Sequence, residues 1–256
     1  MAITHRTILT SIASLGLASV VMLAGIANAA EIKVIGSPGF REAYTELVPA
    51  FEKATGHHVV TIWGGVNEVA NRVAGGETAD VVILPVAQID DLLKQGKLVA
   101  GSRTDVAKSG VGIAVRSGAP KPDIRSADGL KKALLAAKSI SYSTGPSGVH
   151  MAKLIQQWGI ADAVKSKIVV SPPDTPVGVV VARGGAEIGF QQVSELLHVK
   201  GIDYLGPLPP DVQETTVFAA ALHKSAAAPD AANALMKFLS APAAAPVIKK
   251  TGMDPG

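Results

Sequence analysis

Residues 34–47 read VIGSPGFREAYTEL, and this short stretch indicates the fold of the whole chain. An apolar, strand-like pair comes first, a Gly-Ser-Pro-Gly corner follows, and the next residues predict an amphipathic helix. Phe40, Tyr44 and Leu47 recur at helical spacing. Ser37, which precedes a proline, predicts an N-cap with proline at the first helical position. The stretch is therefore typical of a buried strand that leads directly into a helix.

The same kind of corner recurs at the ends of three later predicted strands. The sequences are WGGVNEV at residues 63–69, TGPSGVH at 144–150 and SPPDTPVGVV at 171–180. Helix starts present unpaired backbone N–H groups and a partial positive charge, which suit an anion. Ligands of open α/β sheets bind at the carboxyl ends of the strands. Ser147 and Thr175 are the predicted N-caps of the helices after the last two corners. Each corner alone is also an ordinary structural cap, but the four together predict one shared anion site in a cleft.

Strands alternate with helices along the rest of the sequence, which predicts an α/β fold with mainly parallel sheets. The predicted strands are short and apolar: 32–35, 58–62, 80–84, 111–115, 139–143, 168–170, 187–191 and 217–222. Helices are predicted between them, one of them at residues 66–74, and two alanine-rich helices close the chain from about residue 229. The fold class expected from this pattern is α/β.

Two breaks in composition divide the chain. A stretch rich in proline, lysine and aspartate covers residues 118–126, and a proline-rich stretch covers 207–210. We therefore expect two lobes and two crossings between them. Lobe 1 is predicted to contain residues 30–113 and 211–256, and lobe 2 residues 114–210.

The N-terminus has the features of a cleaved secretory signal peptide, which we assign to residues 1–29. Arg6 provides the positive start, residues 8–26 are apolar, and Ala27-Asn28-Ala29 is a small-residue cleavage site. A transmembrane anchor is the alternative, because the apolar run is almost long enough for one. The predicted location is the periplasm. The chain has no cysteine, so it is expected to be stabilised without disulfides.

Composition argues against nucleic-acid binding and against cofactor-dependent chemistry. The chain has 24 basic and 21 acidic residues, and only 4% of its residues are aromatic. A nucleic-acid binder needs a clustered basic face and stacking side chains. No phosphate loop is present, and His57-His58 lacks further metal ligands at a suitable spacing. We therefore predict no cofactor, no metal site and a monomeric protein.

Several longer segments resemble periplasmic molybdate-binding-type solute-binding proteins. They are VIGSPGF, PAFEKATGHHV, ANRVAGGETADVVIL, SGVGIAVRSG, TPVGVVVARGGAEIGFQQVSEL and LSAPAAAPVIKKTGMDP, and the resemblance covers essentially the whole chain after the signal peptide. It implies the type II periplasmic-binding-protein fold, with a mainly parallel sheet in each lobe and a hinge between the lobes. It also implies a small anionic ligand and delivery of that ligand to an ABC-type membrane permease.

The resemblance also assigns the binding residues of the family to positions in this sequence. The first oxyanion-binding serine of the family falls on Ser37, and the second falls on Gly65, which has no hydroxyl. A tyrosine that the family commonly contributes falls near Gln191 and Gln192, where this chain has no tyrosine. Together with the helix starts, these positions give the predicted ligand-binding set: Ser37, Gly39, Gly65, Ser147, Gly148, Val149, Thr175, Val177, Gln191 and Gln192.

Two functions remain open on this sequence. Backbone and side-chain amides in place of hydroxyls suit an organic carboxylate, and segments such as RSGAPKPDI and KGIDYLGPLP resemble periplasmic aconitate isomerases of the same superfamily. Such an enzyme needs a base near the reacting carbon. His150 and Glu68 are the available candidates, and neither is compelling. The sequence therefore favours a periplasmic anion-binding protein for ABC-type import, with an aconitate isomerase as the alternative.

Overall fold

The computed structural model describes residues 29–172 and 175–256. The predicted signal peptide lies outside the described residues apart from Ala29. The strands are β1 (Glu31–Gly36), β2 (His58–Trp63), β3 (Val81–Pro85), β4 (Thr104–Arg116), β5 (Ile140–Tyr142), β6 (Ile168–Val170), β7 (Ile188–Gln192), β8 (Ile202–Pro207), β9 (Thr215–Leu222) and β10 (Asp254–Pro255). The α-helices are α1 (Arg41–Thr55), α2 (Val66–Ala74), α3 (Val86–Lys94), α4 (Ala127–Ala136), α5 (Pro146–Gln157), α6 (Ala161–Val164), α7 (Val177–Ala182), α8 (Val193–Leu196), α9 (Pro229–Ser240) and α10 (Ala245–Lys250).

One long strand, β4, belongs to both halves of the molecule. Its first part, from Thr104 to Gly110, pairs antiparallel with β9. Its second part, from Val111 onward, pairs antiparallel with β7 and β8. The strand order runs β2-β1-β3-β9-β4-β7-β5-β6, with β8 and β10 as further partners of β4. The predicted α/β class is confirmed by this arrangement of strands and helices.

The sheets are mixed rather than mainly parallel. Strands joined through a helix do run parallel, as predicted: β1 pairs with β2 and β3, and β5 pairs with β6 and β7. A helical crossover returns the chain to the same end of the sheet, which makes the next strand parallel. The expectation fails at β4 and β9, because these strands run antiparallel to their neighbours.

The sequence pattern does not indicate three strand segments that the structure contains. They are the first half of β4, all of β8 and the short β10. The first half of β4 carries Asp105 and Lys108, and β8 carries Asp203 and Gly206, so neither has the continuous apolar run of a buried strand. β8 and β10 form strands because they pair with β4, and the first half of β4 forms a strand because it pairs with β9. Tertiary contacts therefore decide the conformation of all three segments.

Hydrophobic cores lie on both faces of the first sheet and in the second half of the molecule. Val34 packs in one core with Phe40, while the next residue, Ile35, packs in another with Ile89 on the opposite face. Successive strand residues point to opposite faces, so a strand covered on both sides is apolar throughout. A third core surrounds Phe190 of β7. Each fully buried side chain of this size stabilises the fold by about 1.5–3 kcal/mol.

The chain crosses between the two halves a second time after β8. There the Gln213 side chain accepts from Val111 N (2.8 Å) and donates to Val111 O (2.9 Å). His150 of α5 reaches the same crossing, with its Nε2 2.7 Å from Val212 O. The Gln213 side chain therefore joins the second crossing to β4, which forms the first crossing. The division into lobe 1, residues 30–113 and 211–256, and lobe 2, residues 114–210, stays a prediction.

Among the residues that the structure describes, no single helix is long and apolar enough to cross a membrane. One pair, Pro229–Ser240 with Pro242–Lys250, meets the length and composition criteria only when both members are counted together, and it is bent by 54°.

Candidate anion-binding cleft

The four sequence corners converge on one cavity of about 370 Å³. It is lined by residues that follow β1, β5 and β6 and by the ends of β2 and β7, together with Phe218. This volume is within the usual range for a small-molecule site. The geometry therefore brings together the strand ends and helix starts that the sequence analysis singled out.

The predicted site residues divide into two groups. Those that line the cavity are Gly39, Gly65, Glu68, Ser147, Thr175, Gln191 and Gln192. Those that are not part of its lining are Ser37, Gly148, Val149, Val177 and His150. Val149 points to solvent, with 62% of its surface exposed, whereas His150 is buried. The His150 ring is engaged at the second crossing, where its Nδ1 lies 2.8 Å from Glu214 Oε2.

Ser37 occupies the predicted N-cap position but does not cap through its side chain. It precedes the short 3₁₀ helix Pro38–Phe40, and no side-chain capping hydrogen bond is made. Its hydroxyl is fully buried and has no hydrogen-bond partner among the described residues. An unsatisfied buried hydroxyl costs about 1–3 kcal/mol. This hydroxyl therefore keeps its capacity to bond, directly beside residues that line the cleft.

The start of α5 differs from the prediction by two residues. Gly145, not Ser147, is the N-cap, and Pro146 is the first helical residue. Ser147 therefore lies within the first turn, where backbone N–H groups have no acceptor in the helix. Gly148 packs so closely that a Cβ at this position would lie 1.6 Å from Ser143 O. The helix start is thus fixed against the end of β5 by the absence of a side chain.

We expect Gly148→Ala to destabilise the fold by about 1–3 kcal/mol, because the added methyl group would overlap a backbone atom that cannot turn away. Gly145→Ala is the matched control: its Cβ would meet nothing closer than Ser143 Oγ at 3.4 Å. Urea denaturation of both variants measures the difference. Equal losses of stability in the two variants would contradict the proposed close packing.

The start of α7 also differs from the prediction. Pro176 is the N-cap in place of Thr175, whose own N–H donates to Pro172 O at 3.0 Å. Within the helix, Gly178 N donates to Gln191 Oε1 at 3.3 Å. One backbone N–H group at the start of α7 is therefore already satisfied by a side chain of β7.

The start of α2 carries a carboxylate of its own. Glu68 Oε2 accepts from Gly65 N at 3.3 Å, and Glu68 Oε1 accepts from Arg72 Nη1 at 3.1 Å. A negative charge is favourable at a helix N-terminus. The Glu68 carboxylate is therefore already engaged by the helix start and by Arg72.

Arg41 lines the cleft although it is not in the predicted ligand-binding set. It begins α1 directly after the first corner, and its guanidinium lies 5.1 Å from the centre of the Trp63 ring. Its Nε is buried and has no hydrogen-bond partner among the described residues. Stacking on an aromatic ring holds a guanidinium in place without neutralising its charge. Arg41 therefore offers the cleft a positioned cation.

Glu195 is a second cleft residue outside the predicted ligand-binding set. It lies on α8, lines the cavity, and accepts a hydrogen bond through Oε1 from Gln191 Nε2 at 2.7 Å. Burial raises the pKa of this carboxyl to about 7, although the Gln191 hydrogen bond and the charge of Arg41 act in the opposite direction. The sequence does contain one signal for this residue: Glu195 lies in the first helical turn after a strand that ends at the site.

The raised pKa of Glu195 predicts a pH-dependent cost to stability. The folded chain holds this proton up to about pH 7, whereas an unperturbed glutamate loses it near 4.5. The favourable contribution is therefore complete below pH 4.5 and is lost as the pH rises through 7. We expect Glu195→Gln to exceed the wild type in unfolding free energy by up to about 3 kcal/mol at pH 8, and by almost nothing at pH 4.5.

Chemical denaturation at several pH values measures this difference. Glu46→Gln, at an exposed ion pair with Lys250, is the matched control and should show no such trend. Parallel profiles for Glu195→Gln and the wild type would contradict the raised pKa.

Within residues 29–172 and 175–256, no group of three or more histidine, aspartate or glutamate side chains is arranged to hold a metal ion.

Comparison with known proteins identifies the family. The model of the bacterial extracellular solute-binding proteins matches residues 32–254. An aconitate isomerase from Pseudomonas sp is 37% identical over 232 residues, which cover 88% of this chain and 87% of the relative. The molybdate-binding protein ModA of Azotobacter vinelandii is 32% identical over 241 residues, which cover 90% and 92%.

A solved structure gives the same picture of the fold. The periplasmic molybdate-binding protein of Azotobacter vinelandii superposes with a TM-score of 0.72 at 24% sequence identity, covering 87% of this chain and 98% of that chain. The two-lobed periplasmic-binding-protein fold and the resemblance to molybdate-binding proteins and aconitate isomerases are thereby confirmed. This chain belongs to the bacterial extracellular solute-binding proteins.

Proposed function

We propose that this protein binds a small polycarboxylate of the aconitate type in the cleft and moves a proton along its allylic system, so that trans and cis isomers interconvert. The observation that carries the proposal is Glu195, a carboxyl group with a pKa of about 7 in a cavity otherwise suited to anions. A general base is most effective when its pKa lies near the working pH.

The other cleft groups suit carboxylates. Arg41 supplies a planar donor fork of the kind that pairs with a carboxylate through two hydrogen bonds. Ser147, in the first turn of α5, adds a hydroxyl at the other side of the cavity. Each hydrogen bond to a charged group contributes about 1.5–3 kcal/mol. Four or five such bonds would support micromolar binding, which needs about 8 kcal/mol.

The proposed step is a proton transfer in two stages. Ionised Glu195 takes a proton from the methylene carbon, and the electron pair of that C–H bond spreads over the adjacent double bond and carboxylate. Protonated Glu195 then returns a proton to the former vinylic carbon, and the double bond moves by one position. Arg41 and the α5 start would stabilise the negative charge that develops on the carboxylate in between. The enzyme ends the cycle in its starting form.

The 37% identity to an aconitate isomerase supports this substrate class. A compact oxyanion fits the cleft less well, because one of the serine positions expected for such a ligand is Gly65, which has no hydroxyl. A polycarboxylate is longer, and its reacting methylene group is uncharged. Such a ligand can bring a carbon rather than an oxygen next to Glu195.

A second function is favoured by the cleft between the two halves and by the 32% identity to ModA. The same residues would then hold the anion for delivery to an ABC-type permease, without turnover. Under either function we propose a periplasmic location reached through a cleaved signal peptide. Oxyanion and carboxylate binding share the donors of the cleft, and only the proton transfer separates the two functions.

A thermal-shift panel tests the ligand class. Purified protein is heated with trans-aconitate, cis-aconitate, citrate, molybdate, tungstate and sulfate, each over a concentration series. The proposal expects saturable stabilisation by the aconitates, because a ligand bound only to the folded state raises the melting temperature. Stabilisation by molybdate or tungstate alone would contradict it and would favour the transport function.

A further inference from the structure

Gln191 connects two functional elements at the base of the cleft. Its Oε1 accepts from Gly178 N in α7 at 3.3 Å, and its Nε2 donates to Glu195 Oε1 in α8 at 2.7 Å. The side chain is 4% exposed and belongs to β7, whose backbone is paired on both sides with β4 and β5. The residue is therefore held by its strand and by both ends of its amide group.

These two contacts fix the orientation of the amide. An amide rotated by half a turn would place its NH₂ group against the Gly178 N–H and its oxygen against the Glu195 carboxylate. With Glu195 ionised, both contacts would then be repulsive, since each would join two donors or two acceptors. The donor of Gln191 is therefore directed at the ionised form of Glu195, and the N–H of Gly178 polarises the amide in the same direction.

We propose that Gln191 is a positioning residue: it directs and tunes the Glu195 carboxyl for proton transfer rather than binding the ligand itself. The inference rests on the proposed role of Glu195 as the acid–base group. With Oε1 engaged by Gln191, the proton exchanged with the ligand belongs on Oε2. Donation to the carboxylate also favours its ionised form, which keeps the base available near neutral pH.

The direct test is the titration of the Glu195 carboxyl in ligand-free protein, followed by carbon-13 NMR and assigned with Glu195→Gln. Gln191→Met removes the donor at similar side-chain length, and we expect the apparent pKa of Glu195 to rise by about 1–2 units, the equivalent of one hydrogen bond to a charged group. Gln191→Leu likewise removes the donor without adding a charge, so it should raise this pKa as well. It also serves if Gln191→Met does not fold.

Gln192→Met is the matched control, because Gln192 is equally buried at the next position and contacts Thr216 rather than Glu195. It should leave the Glu195 titration unchanged. In turnover assays, Gln191→Met should shift the acid limb of the pH profile by the same amount and leave KM within about twofold, as expected when ground-state binding is unaffected.

An unchanged Glu195 titration together with a tenfold higher KM would overturn the inference and identify Gln191 as a ligand contact. If the wild type turns over no carboxylate at all, the proposed function fails, and the NMR titration still decides the role of Gln191. An alkaline shift in that case supports the link between Gln191 and Glu195 on its own.

Discussion

Glu195→Gln is expected to abolish the isomerisation of trans-aconitate while leaving the ligand bound. The substituted amide keeps the size of the side chain and can still accept from Gln191 Nε2, but it cannot take a proton from carbon. Loss of a general base lowers turnover by about 10²–10⁴-fold. Binding should persist, or strengthen slightly, because a negative charge leaves the cleft. Chromatographic separation of cis- and trans-aconitate measures turnover, and calorimetry measures affinity.

His150→Gln distinguishes Glu195 from the base that the sequence suggested. His150 does not line the cleft, and its ring contacts Val212 O at the second crossing. We therefore expect this variant to retain wild-type turnover. The assignment of the base to Glu195 is wrong if turnover survives Glu195→Gln and disappears in His150→Gln.

Arg41→Met should weaken polycarboxylate binding by about 10–100-fold, the equivalent of one charge-assisted hydrogen bond. Methionine preserves much of the apolar contact with Trp63 and removes only the charged group. Isothermal calorimetry with the ligand found in the thermal-shift panel gives the affinity. Arg125→Met is the matched control, because Arg125 is exposed and pairs locally with Asp123. An equal loss of affinity in both variants would show that the effect of Arg41→Met comes only from the change in net charge.

The sequence predicts the alternating elements well, because each depends on a local pattern. Helix α2 occupies Val66–Ala74 and strand β6 occupies Ile168–Val170, the same residues that the pattern indicates. The pattern does not predict β8, because its polar residues and glycine form a strand only when paired with β4. Local periodicity therefore predicts elements that bury their own apolar face, and it fails for strands whose partner decides their conformation.

The candidate site is predictable in outline but not in its chemistry. Glycine, serine and proline after strands mark the corners, and these corners do line one cavity. The N-cap positions fail by one or two residues, because capping depends on backbone angles that Ser147 and Thr175 do not reveal. Glu195 and Arg41 are different cases. The sequence places Glu195 just after a strand that ends at the site, but the burial of its carboxyl and the contact of Arg41 with Trp63 come from tertiary packing.

Proton exchange at carbon shows whether this protein moves the allylic proton of aconitate. The protein is incubated with trans-aconitate in D₂O and followed by proton NMR, with Glu195→Gln and a protein-free sample as references. The proposal predicts that cis-aconitate accumulates and that solvent deuterium enters the methylene position of both isomers. The contradictory result is a wild-type protein that is saturated with trans-aconitate, as judged by its raised melting temperature, and that produces neither cis-aconitate nor deuterated ligand.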